Sequence, residues 1–127
     1  MRVETEAIKK TMQYFKNEGN KVTDVSRSRN HNGYDLVVSN SKEQYTVEVK
    51  GCTQEWQIPD LFYTEVDQSS GLLVADFILI VYFLKGKTPF ICKVPREAFS
   101  PDCFTLKKGY RINSKVKKAN FLSQYVQ

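Results

Sequence analysis

The chain has 127 residues, of which 41% are apolar, 26% charged and 13% aromatic; this suits one globular domain, is too little for two, and excludes a disordered tail or a fibre. The longest unbroken apolar run, Phe77 to Leu84, is far short of a bilayer span, and the opening Met-Arg-Val-Glu lacks the apolar stretch of a signal peptide, so a soluble, intracellular (cytoplasmic) protein is expected. The net charge of +5 is unevenly placed: Lys107, Lys108, Arg111, Lys115, Lys117 and Lys118 follow the last acidic residue, Asp102, and leave residues 1–102 with 13 basic and 14 acidic side chains, net −1.

From Glu4 to Glu18 the apolar residues Ile8, Met12 and Phe15 recur at helical spacing and Gly19-Asn20 follows as a stop, which predicts an amphipathic first helix. Val22 and Val25 predict a short strand, Arg27 to Gly33 a polar connection, and Tyr34 to Val38 a second strand. Ser39-Asn40-Ser41-Lys42 carries turn chemistry. Tyr45 to Lys50 then alternates apolar with polar residues, as a half-buried strand does, so an antiparallel hairpin is expected.

Pro59 to Asp67 is predicted helical, with Leu61, Phe62 and Val66 apolar, Asp60, Glu65 and Asp67 on its solvated side, and Gly71 beyond its end. Phe77 to Phe83 is the most apolar segment and reads as a central strand covered on both faces. Lys85-Gly86-Lys87 turns the chain into Phe90 to Val94, and Pro95 opens a short helical turn. The order is that of an α/β protein with a mixed central sheet flanked by helices, in a single domain over 1–127 whose basic C-terminal segment is 103–127. That segment suits a polyanion or a solvated, partly frayed terminus. Cys52, Cys92 and Cys103 show neither metal-ligand nor disulfide spacing and read as ordinary core or surface residues.

Side chains two apart on a strand share a face, so Glu48 and Lys50 project together while Val47 and Val49 point the other way. Asp35 on the preceding strand is brought near Glu48 by a hairpin tip between Ser39 and Gln44. Two carboxylates beside one lysine suit phosphodiester hydrolysis: the carboxylates hold Mg²⁺, which leaves room for a phosphate and a water, and the lysine orients or activates that water.

At these residues, Gly33-Tyr34-Asp35-Leu36-Val37 and Tyr45-Thr46-Val47-Glu48-Val49-Lys50-Gly51, the sequence resembles the PD-(D/E)XK nuclease superfamily, whose restriction-endonuclease-like αβββαβ core has the order read above. It is similar to archaeal Holliday-junction resolvases and to NO VEIN C-terminal domains. The resemblance implies a Mg²⁺-dependent DNA endonuclease, with Mn²⁺ as a substitute. Asp35, Glu48 and the Val49 carbonyl would bind the metal, Lys50 would position the nucleophile, and an acid of the first helix, Glu6 or after it Glu4, would join the site. Tyr34 stands where the superfamily's name has proline.

Arg27 and Arg29, in the loop before Asp35, are candidates for gripping phosphates, as are Lys107, Lys108, Arg111 and Lys115 of the tail. His31 is the only histidine and reads as an exposed loop residue, which leaves no Ser/His/Asp or Cys/His pairing. The same resemblance implies that Gln54, a polar residue after the lysine strand, would assist the site, and Trp56 reads as a core anchor. No Gly-rich phosphate loop is present, so no nucleotide cofactor is expected. DNA is the expected partner, and a homodimer would suit cleavage of two strands. The alternatives are a branched-DNA resolvase of the same superfamily and a non-catalytic DNA-binding or assembly module on the same fold.

Overall fold

The structure, a computed structural model, describes residues 2–27, 33–58, 60–61, 63–67, 69–70, 72–99, 104–106, 110–112 and 118–127, with the backbone alone at 63, 104–106, 110–112, 118 and 119. Helix α1 runs from Val3 to Asn17, with Glu4 and Glu6 in its first turn and Lys16 in its last, where each suits the helix dipole. Gly19, at φ 86°, ends it by donating its N–H to the Lys16 carbonyl at 3.0 Å. The buried stripe is Ala7, Thr11 and Phe15, while Ile8 and Met12 pack from the flanks. This stripe is rotated from the predicted one because small Ala7 lets the helix lie close on Gly51, where a Cβ would stand 2.6 Å from Val3 Cγ1 and 3.1 Å from Ala7 Cβ.

The strands are β1 (Lys21–Asp24), β2 (Leu36–Ser39), β3 (Gln44–Cys52), β4 (Phe77–Tyr82) and β5 (Phe90–Pro95), hydrogen-bonded in that order. All neighbours are antiparallel except β3 and β4, which makes the sheet mixed, as expected. Val47, Val49, Leu79 and Val81 bury one face against α1. Ile78, Ile80 and Tyr82 face the other layer, with Leu61, Val66, Leu73 and Leu122. β4 is covered on both faces, as its continuous apolar run predicts.

The crossover from β3 to β4 differs from expectation. In place of a helix over 59–67 there is a single 3₁₀ turn, Tyr63–Glu65, and Pro59, Phe62 and Gly71 lie outside the described residues. The reason lies in where the backbone groups go. Val74 N–H bonds the Glu65 carbonyl at 3.0 Å, Asp67 N–H bonds that of Leu72 at 2.8 Å, and Val66 bridges to Leu73. These are antiparallel pairings, incompatible with helical i→i−4 bonds. The Asp67 carboxylate fixes the turn between them by accepting from the Ser69 N–H at 2.9 Å. That bond holds its carboxyl below the ordinary value.

After the short turn at Arg96–Ala98, the C-terminal segment forms a separate hairpin of β6 (Phe104–Leu106) and β7 (Tyr110–Ile112), then helix α2 (Lys118–Ser123). Its end is packed rather than frayed. Leu122 is fully buried, Lys93 N–H bonds the Tyr125 carbonyl at 3.0 Å, and Gln127 N–H bonds that of Ile91 at 2.9 Å, so the last residues pair with the outer edge of β5. Cys52 and Cys92 are buried free thiols, and Cys103 lies outside the described residues. No helix among the described residues is long and apolar enough to cross a membrane.

Candidate active site

Register positions the first carboxylate. Leu36 pairs with Val47, so Asp35 stands across from Glu48, at the mouth of the β2–β3 hairpin. Three hydrogen bonds hold it there: its N–H to the Val47 carbonyl at 2.9 Å, its carbonyl from Val25 N–H at 2.8 Å, and its Oδ2 from Val49 N–H at 2.9 Å. Just before it, Gly33 sits at φ 83° with the Thr64 carbonyl where a Cβ would be, so the crossover presses directly against the strand entry.

Glu48 and Lys50 occupy the same face of β3, the middle strand of the sheet, and Glu48 is only 4% exposed. The Lys50 ammonium lies 3.7 Å from Glu48 Oε1, and at 2.9 and 3.0 Å from the two oxygens of Glu65. Glu65 itself is buried, so the expectation that it lies on a solvated helix side is corrected. The sequence carries a signal for it: a lone carboxylate among Leu61, Phe62, Tyr63 and Val66 is an acid in an apolar setting that calls for a buried cation.

Burial, above all, pushes the Glu48 carboxyl far above the ordinary range; a hydrogen bond with Glu65 and the negative charges of Asp35 and Glu65 add to this, and Lys50 opposes it. The same convergence of negative charge that raises this carboxyl is one that a cation would relieve. No group of three or more His, Cys, Asp or Glu side chains among the described residues is arranged to hold a metal ion. The donor set offered by Asp35 and Glu48 is two hard carboxylates, which fits an ion that completes its shell with a main-chain carbonyl, water and phosphate.

The structure therefore brings together Asp35, Glu48 and Lys50 and adds Glu65. Glu6 lies on α1, which packs on the other face of the sheet, and pairs with Lys9 at 3.6 Å. Arg27 is exposed, and Gln54 is exposed in the turn after β3. Trp56 packs edge-to-face on Tyr82 and Phe90, as a core anchor should. Arg29, His31, Lys107, Lys108 and Lys115 lie outside the described residues, as does the side chain of Arg111.

Residues 3–92 match the model of a family described as Protein NO VEIN, C-terminal. No curated protein matches the chain. Among solved structures, the chain is similar to Hjc, a Holliday junction resolvase of the archaeal hyperthermophile Archaeoglobus fulgidus, at 15% identity and a TM-score of 0.49, over 88% of this chain and 84% of that one.

Proposed function

The chain belongs to the family of the NO VEIN C-terminal domain, which it matches over residues 3–92, and from that premise we propose that it is a metal-dependent nuclease hydrolysing phosphodiester bonds in DNA. The observation that carries this reading is the convergence of Asp35, from the entry of β2, on Glu48 and Lys50 of β3, with Asp35 tied to the backbone between them through Val49 N–H at 2.9 Å. In this reading Asp35, Glu48 and the Val49 carbonyl would hold Mg²⁺, with Mn²⁺ as a substitute, and Glu6, on the opposite face of the sheet, stands apart from them. The bound ion would supply charge stabilisation at the phosphate and a water of lowered pKa.

Lys50 orients the attacking water, its single ammonium donating to the oxygens around it. Arg27 and Arg29, with Lys107, Lys108, Arg111 and Lys115, bind phosphates flanking the scissile bond without reading sequence. A second copy would serve the second strand.

The test is incubation with supercoiled plasmid, linear duplex, four-way junction and single strands in Mg²⁺, Mn²⁺ and EDTA, beside Asp35→Asn and Lys50→Ala. Cleavage in Mg²⁺ that vanishes in EDTA and falls roughly 100-fold or more in both variants is expected. Cleavage that persists in EDTA, or in both variants, overturns the proposed site. Binding without cleavage by the wild type favours the module, and preference for the junction identifies a branched-DNA enzyme.

A further inference from the structure

Lys50 is held more closely by Glu65 than by its own strand neighbour. Its Nζ lies 2.9 and 3.0 Å from the Glu65 oxygens, against 3.7 Å from Glu48 Oε1. The side chains are nearly enclosed, with Lys50 11% exposed and Glu65 8%. A lysine ends a flexible four-carbon stem, and without a partner at its tip the ammonium would sample several rotamers. Two hydrogen bonds to one carboxylate leave it a single position.

Glu65 comes from outside the strand pair that supplies Asp35, Glu48 and Lys50. It sits on the 3₁₀ turn Tyr63–Glu65, and that turn is braced twice: the Glu65 carbonyl accepts from Val74 N–H at 3.0 Å, and the Thr64 carbonyl abuts Gly33, two residues before Asp35. The turn that carries the tether and the chain that delivers Asp35 are thus in register by direct contact.

We propose that Glu65 is a positioning residue of this site, an acidic tether on the crossover that fixes the Lys50 ammonium beside Glu48 for the reaction; this rests on the nuclease reading. A Glu65 that only neutralises a buried lysine would affect stability and leave turnover alone. A tether governs kcat.

The experiment compares wild type, Glu65→Ala, the isosteric Glu65→Gln and the exposed control Glu97→Gln in Mg²⁺-dependent plasmid cleavage, with kcat and KM separated and folding followed by thermal melting. Glu65→Ala is expected to lower kcat roughly 10- to 100-fold with KM for DNA within about twofold, and Glu65→Gln, which keeps one acceptor oxygen, to lie between it and wild type. Should Glu65→Ala fail to fold, Glu65→Gln carries the comparison, with a kcat loss of at least about threefold expected.

A second readout needs no turnover: amine acylation followed by mass spectrometry, in which Lys50 should label slowly beside exposed Lys42 in wild type and several-fold faster in Glu65→Gln. Wild-type cleavage matched within twofold by the folded Glu65 variants, a loss confined to KM, or an unchanged Lys50 labelling rate overturns the tether alone. Absence of cleavage by the wild type on every substrate overturns the nuclease reading and the tether with it.

Discussion

Glu48 is the most perturbed carboxyl of the site, because burial and two acidic neighbours, Asp35 and Glu65, raise its pKa and favour its neutral form. A carboxyl whose folded value is raised contributes stability that is fully present below its unfolded value, near 4.5, and is lost as pH rises through the folded value. Glu48→Gln removes that dependence. In EDTA the variant should therefore gain on wild type by up to about 1.4 kcal/mol per pH unit above the ordinary carboxylate range, measured by urea unfolding at about pH 5.5 and about pH 7.5. Parallel curves at the two pH values would show that Glu48 is not proton-bound. Asp35, Glu48 and Lys50 were legible as a group because alternation and one short hairpin suffice to place them. Glu65 was not part of that group, since its one signal, a carboxylate among apolar neighbours, asks for a buried cation without saying which one, and no periodicity encodes how a crossover folds back onto a sheet.

At the scale of elements, the site depends on two close approaches that only glycine permits. Gly33 admits the Thr64 carbonyl, and Gly51 admits Val3 of α1. Gly33→Ala meets both a left-handed backbone and a collision, whereas Gly86→Ala, at φ 75° with open space around it, meets only the first. The Gly86 change should cost about 1 kcal/mol and the Gly33 change roughly 2 kcal/mol or more, with a cleavage defect confined to Gly33→Ala. Equal melting points for the two would refute the clamp. The β-strands emerged from sequence because apolar alternation and the run Phe77 to Leu84 fix them locally. In place of the helix expected over 59–67 the chain buries Leu61 and Val66 without helical bonds, because Val66 pairs with Leu73 across a turn set by Asp67 and the backbone groups are satisfied there.

At the scale of the whole molecule, composition alone cannot tell a charged tail from a structural one, and the segment after Asp102 is in part structural. Leu122 closes the layer of Ile78, Ile80 and Tyr82, and Tyr14 donates to Gln127 Oε1 at 3.0 Å across the fold. Leu122→Ala should cost about 2–5 kcal/mol, read as a fall in the urea midpoint at constant slope. Cutting the chain after Asp102 would strip away this packing as well, so the role of its cations is better tested by neutralising them in place. Lys107→Gln with Lys108→Gln should leave the melting point unchanged and flatten the dependence of log Kd for duplex DNA on log salt by about 0.9 for each phosphate that these side chains cease to neutralise. An unaltered salt slope would remove those two lysines from the proposed set of phosphate contacts.

The pairing of residues 125–127 with β5 also decides how this sheet meets other polypeptides. Of the two outer strands of the five-stranded sheet, β5 is closed by the chain itself, and among the described residues nothing pairs with the outer side of β1. The two margins are therefore unequal: a strand approaching β5 would first have to displace the protein's own C-terminal residues, whereas none of the described residues stands in the way beside β1. Lys21, Thr23 and Asp24 stand exposed along that open margin, and charged side chains on an edge strand disfavour its pairing with an apolar strand.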